Sequence, residues 1–125
     1  MAAKLLIYHM EEARIQALEG LCEALGIQPV RVDETSHQAP VGLLTGTADP
    51  RKLMSSAAAQ VPSAPIDEEM IVMSDFTEKQ FHALLDTLRE SAFRIGLKAV
   101  ETPVNMYWTG EMLQTELKNE RQAYQ

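Results

Sequence analysis

Residues 4–32 read KLLIYHMEEARIQALEGLCEALGIQPVRV. The reading of this stretch decides the fold. Its opening, Lys4 to Met10, is a short apolar run of β-favouring residues and predicts a buried strand. From Glu11 to Leu25 the apolar residues Ile15, Leu18, Leu21, Cys22 and Leu25 fall at helical spacing, with Glu12, Arg14, Gln16, Glu19 and Glu23 on the other faces. Glu11 and Glu12 suit the positive end of a helix dipole. Gly26 stands where a left-handed C-cap favours glycine. Ile27 to Val32 alternates as a half-buried strand does, and Pro29, which has no amide hydrogen, restricts it to a sheet edge or a strand start.

The second half repeats this grammar. Glu69 to Met73 predicts a strand, and Asp75 and Glu78 are spaced as a capping box. Phe81, Leu84, Leu85 and Leu88 make a helical stripe. Arg94 to Val100 is a fourth strand with Gly96 as a bulge. Thr109 caps a last helix from Gly110 to about Gln122. Between the halves, Asp33 to Ala39 is polar loop, and Val41 to Gly46 is a glycine-bracketed apolar turn or bulged edge strand. Asp49-Pro50 begins a short helix that runs to about Gln60. A mobile connector is expected at about 55–68, with Asp67, Glu68 and Glu69 solvated.

The order β-α-β, linker, β-α-β, helix predicts an α+β ferredoxin-like β-α-β-β-α-β sandwich with an extra C-terminal helix. A small α/β parallel sheet is the alternative, though it needs helices on both faces. The chain has 125 residues, is 46% hydrophobic and carries a net charge of −7. That length suits a single domain over 1–125. The acidic balance argues against nucleic acid, whose phosphates call for a basic face. A single cysteine excludes an internal disulfide. No apolar run approaches a membrane span or a signal-peptide core, so a cytoplasmic location and no membrane partner are expected.

No nucleotide-binding glycine motif, esterase elbow or zinc-protease signature occurs. His9, His37 and His82 have no local spacing for a metal, so neither a metal site nor a cofactor is expected. His9, at the end of the first strand, is the best single acid–base candidate. Cys22 reads as a buried hydrophobe near a helix C-terminus, which does not activate a thiol. Two stretches are candidates for ligand recognition. Gly42, Thr45 and Gly46 could turn backbone amides toward an anion. Lys98, Thr102, Asn105 and Trp108 lie in the polar-aromatic loop between the last strand and the last helix. Each has a structural alternative: Asn105 closing a turn, and Trp108 forming a hydrophobic staple with Leu113 across the Thr109 cap.

Four patches carry a resemblance. They are Leu5 to Tyr8, Pro40 to Gly46, Glu69 to Phe76, and Leu97 to Asn105 with Trp108-Thr109. With them the chain resembles a family of small bacterial domains of unknown function over nearly its whole length. The last patch is the most specific. The resemblance implies no activity.

These observations favour a non-enzymatic module that binds a small molecule or a protein, with a second copy of the chain among the candidate partners. The rival is a small hydrolase or transferase using His9, Asp75 or Asn105. Topology separates the two. If the first and third strands are antiparallel, His9 lies at the opposite end of the sheet from Asp75 and Asn105.

Overall fold

A computed structural model describes residues 3–54 and 64–123. Four strands form one sheet: β1 (Lys4–Tyr8), β2 (Gln28–Val32), β3 (Met70–Ser74) and β4 (Leu97–Val100). The helices are α1 (Glu12–Ala24), α2 (Val41–Thr45), α3 (Pro50–Met54), α4 (Glu78–Glu90) and α5 (Gly110–Ala123). The sheet order is β2-β1-β3-β4. β1 runs parallel to β2, and β3 runs parallel to β4. The central pair β1–β3 is antiparallel, with Lys4 opposite Ser74 and Tyr8 opposite Met70.

Burial explains the composition of each strand. Leu5 to Tyr8 and Met70 to Ser74 are all buried. Both faces of the central strands are covered, so both read as continuous apolar runs. On one face Leu18 and Cys22 of α1 and Leu84 and Leu88 of α4 pack on Leu5, Ile7, Ile71 and Met73. On the other, Val41 of α2 and Leu113 of α5 meet Leu6, Tyr8, Met70 and Val72, with Trp108 and Leu117 against them. β4 alternates, with Leu97 and Ala99 buried and Lys98 and Val100 exposed, as an outer strand does.

The α+β class agrees with expectation, and α1 and α4 share one face. The strand order does not agree. A ferredoxin-like sheet splits each βαβ unit by inserting the other half's central strand, whereas here β2 lies directly beside β1 and β4 directly beside β3. The physical reason lies in how the chain returns from α1 to the sheet. Leu25 to Ile27 closes α1 with Gly26 at φ +72°, and the Gln28 amide then bonds to the Ala3 carbonyl at 2.9 Å. β2 is thus delivered beside the start of β1. The parallel-sheet alternative holds only for the outer pairs, because the centre is antiparallel.

Four local expectations are corrected. Thr77, not Asp75, caps α4; its hydroxyl accepts from the Gln80 amide at 3.1 Å and Gln80 Oε1 accepts from the Thr77 amide at 3.0 Å. Asp75 has φ +60° and turns the chain before the helix begins. β4 starts at Leu97, so Gly96 precedes the strand and is no bulge within it. Val41 to Thr45 forms a helical turn. The acidic run is anchored rather than loosely solvated. Glu69 pairs bidentately with Arg14 at 2.7 and 2.8 Å, Glu68 with Arg121 at 2.6 and 2.9 Å, and Asp67 with Lys118. Nearby, buried Gln114 bonds the Asp67 amide and the Glu68 carbonyl, and Ile66 enters the core. Of the expected connector at about 55–68 and the helix to Gln60, residues 55–63 lie outside the described residues.

The expected caps elsewhere are present. Arg51 N bonds to Asp49 Oδ1 at 2.9 Å ahead of α3, and Met112 N bonds to Thr109 Oγ1 at 3.1 Å at the start of α5.

Candidate functional site

The central antiparallel pair places His9 and Asp75 at opposite ends of the sheet. His9 follows Tyr8, beyond Met70; Asp75 follows Ser74, beyond Lys4. Asn105 follows β4, which runs parallel to β3 and so lies toward the Asp75 end. A five-residue strand spans roughly 17 Å. His9 cannot act on the same reacting atom as Asp75 and Asn105. Cys22 is fully buried and its thiol is pushed up to about 12, first by desolvation and then by Glu19 and Glu23, which leaves it protonated and inert.

The carboxyl ends of β3 and β4 are closed by polar side chains. Glu101 accepts three hydroxyl hydrogen bonds: from Thr45 at 2.8 Å, Thr47 at 2.9 Å and Ser74 at 2.9 Å. Lys4 Nζ reaches the Thr45 carbonyl at 2.8 Å. This cluster fixes the segment after α2 onto the sheet end. Its hydroxyl donors are consumed within the cluster. The glycine turn behaves likewise, since the amides of Gly46, Thr47 and Ala48 all donate to the Gly42 carbonyl at 3.0–3.1 Å. Gly42 has a steric reason to be glycine: a Cβ there would stand 2.6 Å from Ala48 Cβ and 2.8 Å from the Met106 carbonyl. Gly46, at φ +81°, ends the helical turn in the left-handed region.

The Asn105 side chain closes its own turn. Oδ1 accepts from Thr102 N at 2.7 Å, and Nδ2 donates to Val100 O at 3.0 Å. Thr102 Oγ1 accepts from the amides of Val104 and Asn105. Trp108 and Leu113 share the second core, on either side of the Thr109 cap. Lys98, Thr102, Asn105 and Trp108 nevertheless come together. They line a groove of about 350 Å³ along the outer side of β4, with Val104 and Leu117.

A larger groove, about 680 Å³, lies on the other side of β4 beneath the end of α4. Leu85, Leu88, Phe93 and Ile95 supply apolar walls, and Arg89, Arg94 and Lys98 line it without any acid. Lys98 therefore stands between two grooves that flank a free strand edge. The edge is part-guarded, because Asn105 already occupies the Val100 carbonyl. Sequence reasoning found Lys98 but missed Arg89 and Arg94. Their only signal was two isolated cations on a chain of net charge −7.

At the opposite end, the carboxyl ends of β1 and β2 border an open crevice of about 500 Å³. Its lining includes Ile7, Met10 and Ile15 with His9 and His37. His37, in the polar loop expected from Asp33 to Ala39, is buried, its ring 5.7 Å from that of Tyr8. No group of side chains suited to a metal ion occurs among the described residues. Among them, too, no helix is long and apolar enough to cross a membrane.

Both grooves beside β4 are built from residues between Leu85 and Glu120. This is also the half that a family comparison singles out. Residues 69–124 match the model of a domain of unknown function, DUF3783. The matched segment comprises β3, α4, β4 and the whole of α5. It contains both grooves whole and leaves the His9–His37 crevice outside. Of the four patches behind the expected resemblance, the last two lie within DUF3783, and the first two precede it. No curated protein and no solved structure matches the chain.

Proposed function

We propose that the protein is a cytoplasmic, non-enzymatic binding module that holds an acidic, apolar-containing segment of a partner protein along β4. The observation that carries this reading is the lining of the groove between α4 and β4. Arg89, Arg94 and Lys98 line it with no acid among the lining residues, Arg89 pairing with Asp86 at 3.4 Å outside it, on a chain of net charge −7, and the whole groove falls inside the segment that matches the family model. Charge complementarity selects the partner's sign. Leu85, Leu88 and Phe93 supply the apolar surface that gives such contacts their affinity. The free edge of β4 offers the Lys98 backbone, the Val100 carbonyl being taken by Asn105, and is short enough to avoid indiscriminate strand pairing.

The test is selection of extended peptides from a random library on the full chain, followed by affinity measurement. Peptides alternating acidic and apolar residues are the expected winners. Arg94→Glu and Lys98→Glu should each weaken them about tenfold or more, whereas Lys79→Glu, the same charge reversal at the far end of α4, should not. Winners that are indifferent to both groove reversals overturn the reading. A concentration-dependent dimer abolished by the same reversals would replace the partner with a second copy of the chain.

A further inference from the structure

Three hollows meet at Lys98. Two are the grooves on either side of β4, and the third, about 270 Å³, continues the α5-side groove past Leu117 and Glu120 to the start of the strand. We infer, resting on the docking along β4 proposed above, that the bound segment is a fifth strand of alternating charge. Its side chains toward α4 are acidic, and those toward α5 are apolar and basic.

The backbone selects the edge. The Glu101 amide bonds to the Met73 carbonyl at 2.8 Å, so in this parallel pair the Lys98 amide and carbonyl and the Val100 amide turn away from β3. The opposite edge of the sheet is poorer. The Gln28 amide bonds to the Ala3 carbonyl, which leaves Pro29 and Arg31 facing outward on β2, and Pro29 has no amide to give. Exposed apolar side chains mark the β4 edge as well: Val100 and Val104 both line its α5-side groove.

The two faces of the edge differ in charge. Leu97 and Ala99 point into the core beneath α5, so Lys98 and Val100 point toward α4. Arg89 and Arg94 line that side with Lys98, and no acid lines it. On the α5 side stand Glu116 and Glu120, both exposed and in no ion pair among the described residues. The cations that line this side are occupied. Lys98 Nζ donates to the Ile95 carbonyl at 3.1 Å, and Arg121 is held by Glu68 at 2.6 Å. Trp108, Val104 and Leu117 supply the apolar part. A strand laid along β4 sends alternate side chains to opposite faces. Acids then meet Arg89 and Arg94, while a base meets Glu116 and Glu120. A second copy of the chain fits badly. Antiparallel pairing of β4 with itself would set α4 beside α4 and α5 beside α5, cation against cation and acid against acid.

The test is an affinity series on the isotope-labelled full chain, followed by NMR, with acetylated and amidated heptapeptides. The first is Thr-Glu-Leu-Glu-Lys-Glu-Thr. The second replaces its lysine by norleucine, which keeps the stem and loses the charge. The third, Thr-Glu-Leu-Lys-Glu-Glu-Thr, has the first one's composition with the lysine moved to the acidic face. Saturable shifts are expected at the Lys98 and Val100 amides. The first peptide should bind about threefold more tightly than the second and about tenfold more tightly than the third. Glu116→Lys and Glu120→Lys together should reverse the preference for lysine over norleucine and leave the norleucine peptide no weaker. Equal affinity of the lysine and norleucine peptides, or a double reversal that changes neither, overturns the alternation. If the norleucine peptide still binds and Arg94→Glu weakens it, docking along β4 stands without the basic position. Absence of saturable shifts at Lys98 and Val100 with all three peptides also overturns the alternation, and the library selection alone then decides the docking.

Discussion

The two βαβ halves of the molecule are built to one plan. The same 66-residue offset relates Lys4 to Met70, His9 to Asp75, Glu12 to Glu78 and Gly26 to Ala92. His9 and Asp75 both take a positive φ after a central strand, and Gly26 and Ala92 both take one after a helix. The halves differ in how their ends are finished. In the second, Thr77 and Gln80 cap the helix, and Glu101 with three hydroxyls closes the carboxyl ends of the strands. In the first, α1 has no side-chain cap and the strand ends border an open crevice. One backbone plan thus yields one closed end and one accessible end, according to whether local side chains satisfy the free backbone groups.

Paired substitutions at equivalent positions sharpen or break this comparison. The largest effects are expected at Leu18 and Leu84, both fully buried in the same core. Leu18→Ala and Leu84→Ala should each cost about 3 kcal/mol, and each variant should still unfold in one transition by denaturant titration. Two separate transitions would show that the halves are independent units. A smaller contrast, opposite in sign, is expected at Tyr8 and Ser74. The Tyr8 hydroxyl is buried without a partner, and its pKa is raised, first by burial and then by the charge of Glu101. Tyr8→Phe should stabilise by about 1 kcal/mol. Ser74→Ala removes one of the three donors on Glu101 and should destabilise by about 1 kcal/mol. Equal signs by chemical denaturation would refute the assignment of one satisfied and one orphaned hydroxyl. The smallest pair is Gly26 and Ala92. A Cβ at Gly26 has room, its nearest neighbour being Gln80 Nε2 at 3.8 Å, so Gly26→Ala should cost only the left-handed strain, about 1 kcal/mol. Ala92→Gly relieves that strain but loosens the unfolded chain, for a net gain of about 0.5 kcal/mol. Thermal melts of the two variants moving in the same direction would contradict the equivalence.

Much of the candidate surface was legible only in part. Lys98, Thr102, Asn105 and Trp108 do converge on one groove, because a strand, a turn and a helix start adjoin there. Arg89 and Arg94 join Lys98 only through the packing of α4 over β4. No spacing along the chain encodes that approach. His37 was unreadable for a similar reason. Its loop is polar, yet it is covered because Tyr8 and the tightly packed Gly110 lie beside it, where a Cβ on Gly110 would stand 2.5 Å from the Tyr8 ring.

By itself, the sequence determined the four strands and the three long helices, their order, the caps at Asp49 and Thr109 and the left-handed Gly26. All of these rest on local backbone preference or on hydrophobic period, and both are written residue by residue. The tertiary structure alone decided which outer strand lies beside which central one. A ferredoxin-like sheet and the observed order share the same antiparallel β1–β3 centre. They differ by an exchange of two short outer strands whose hydrophobic patterns satisfy either position. That choice rests on contacts between residues far apart in the chain, and with it went the placement of the grooves and the crevice.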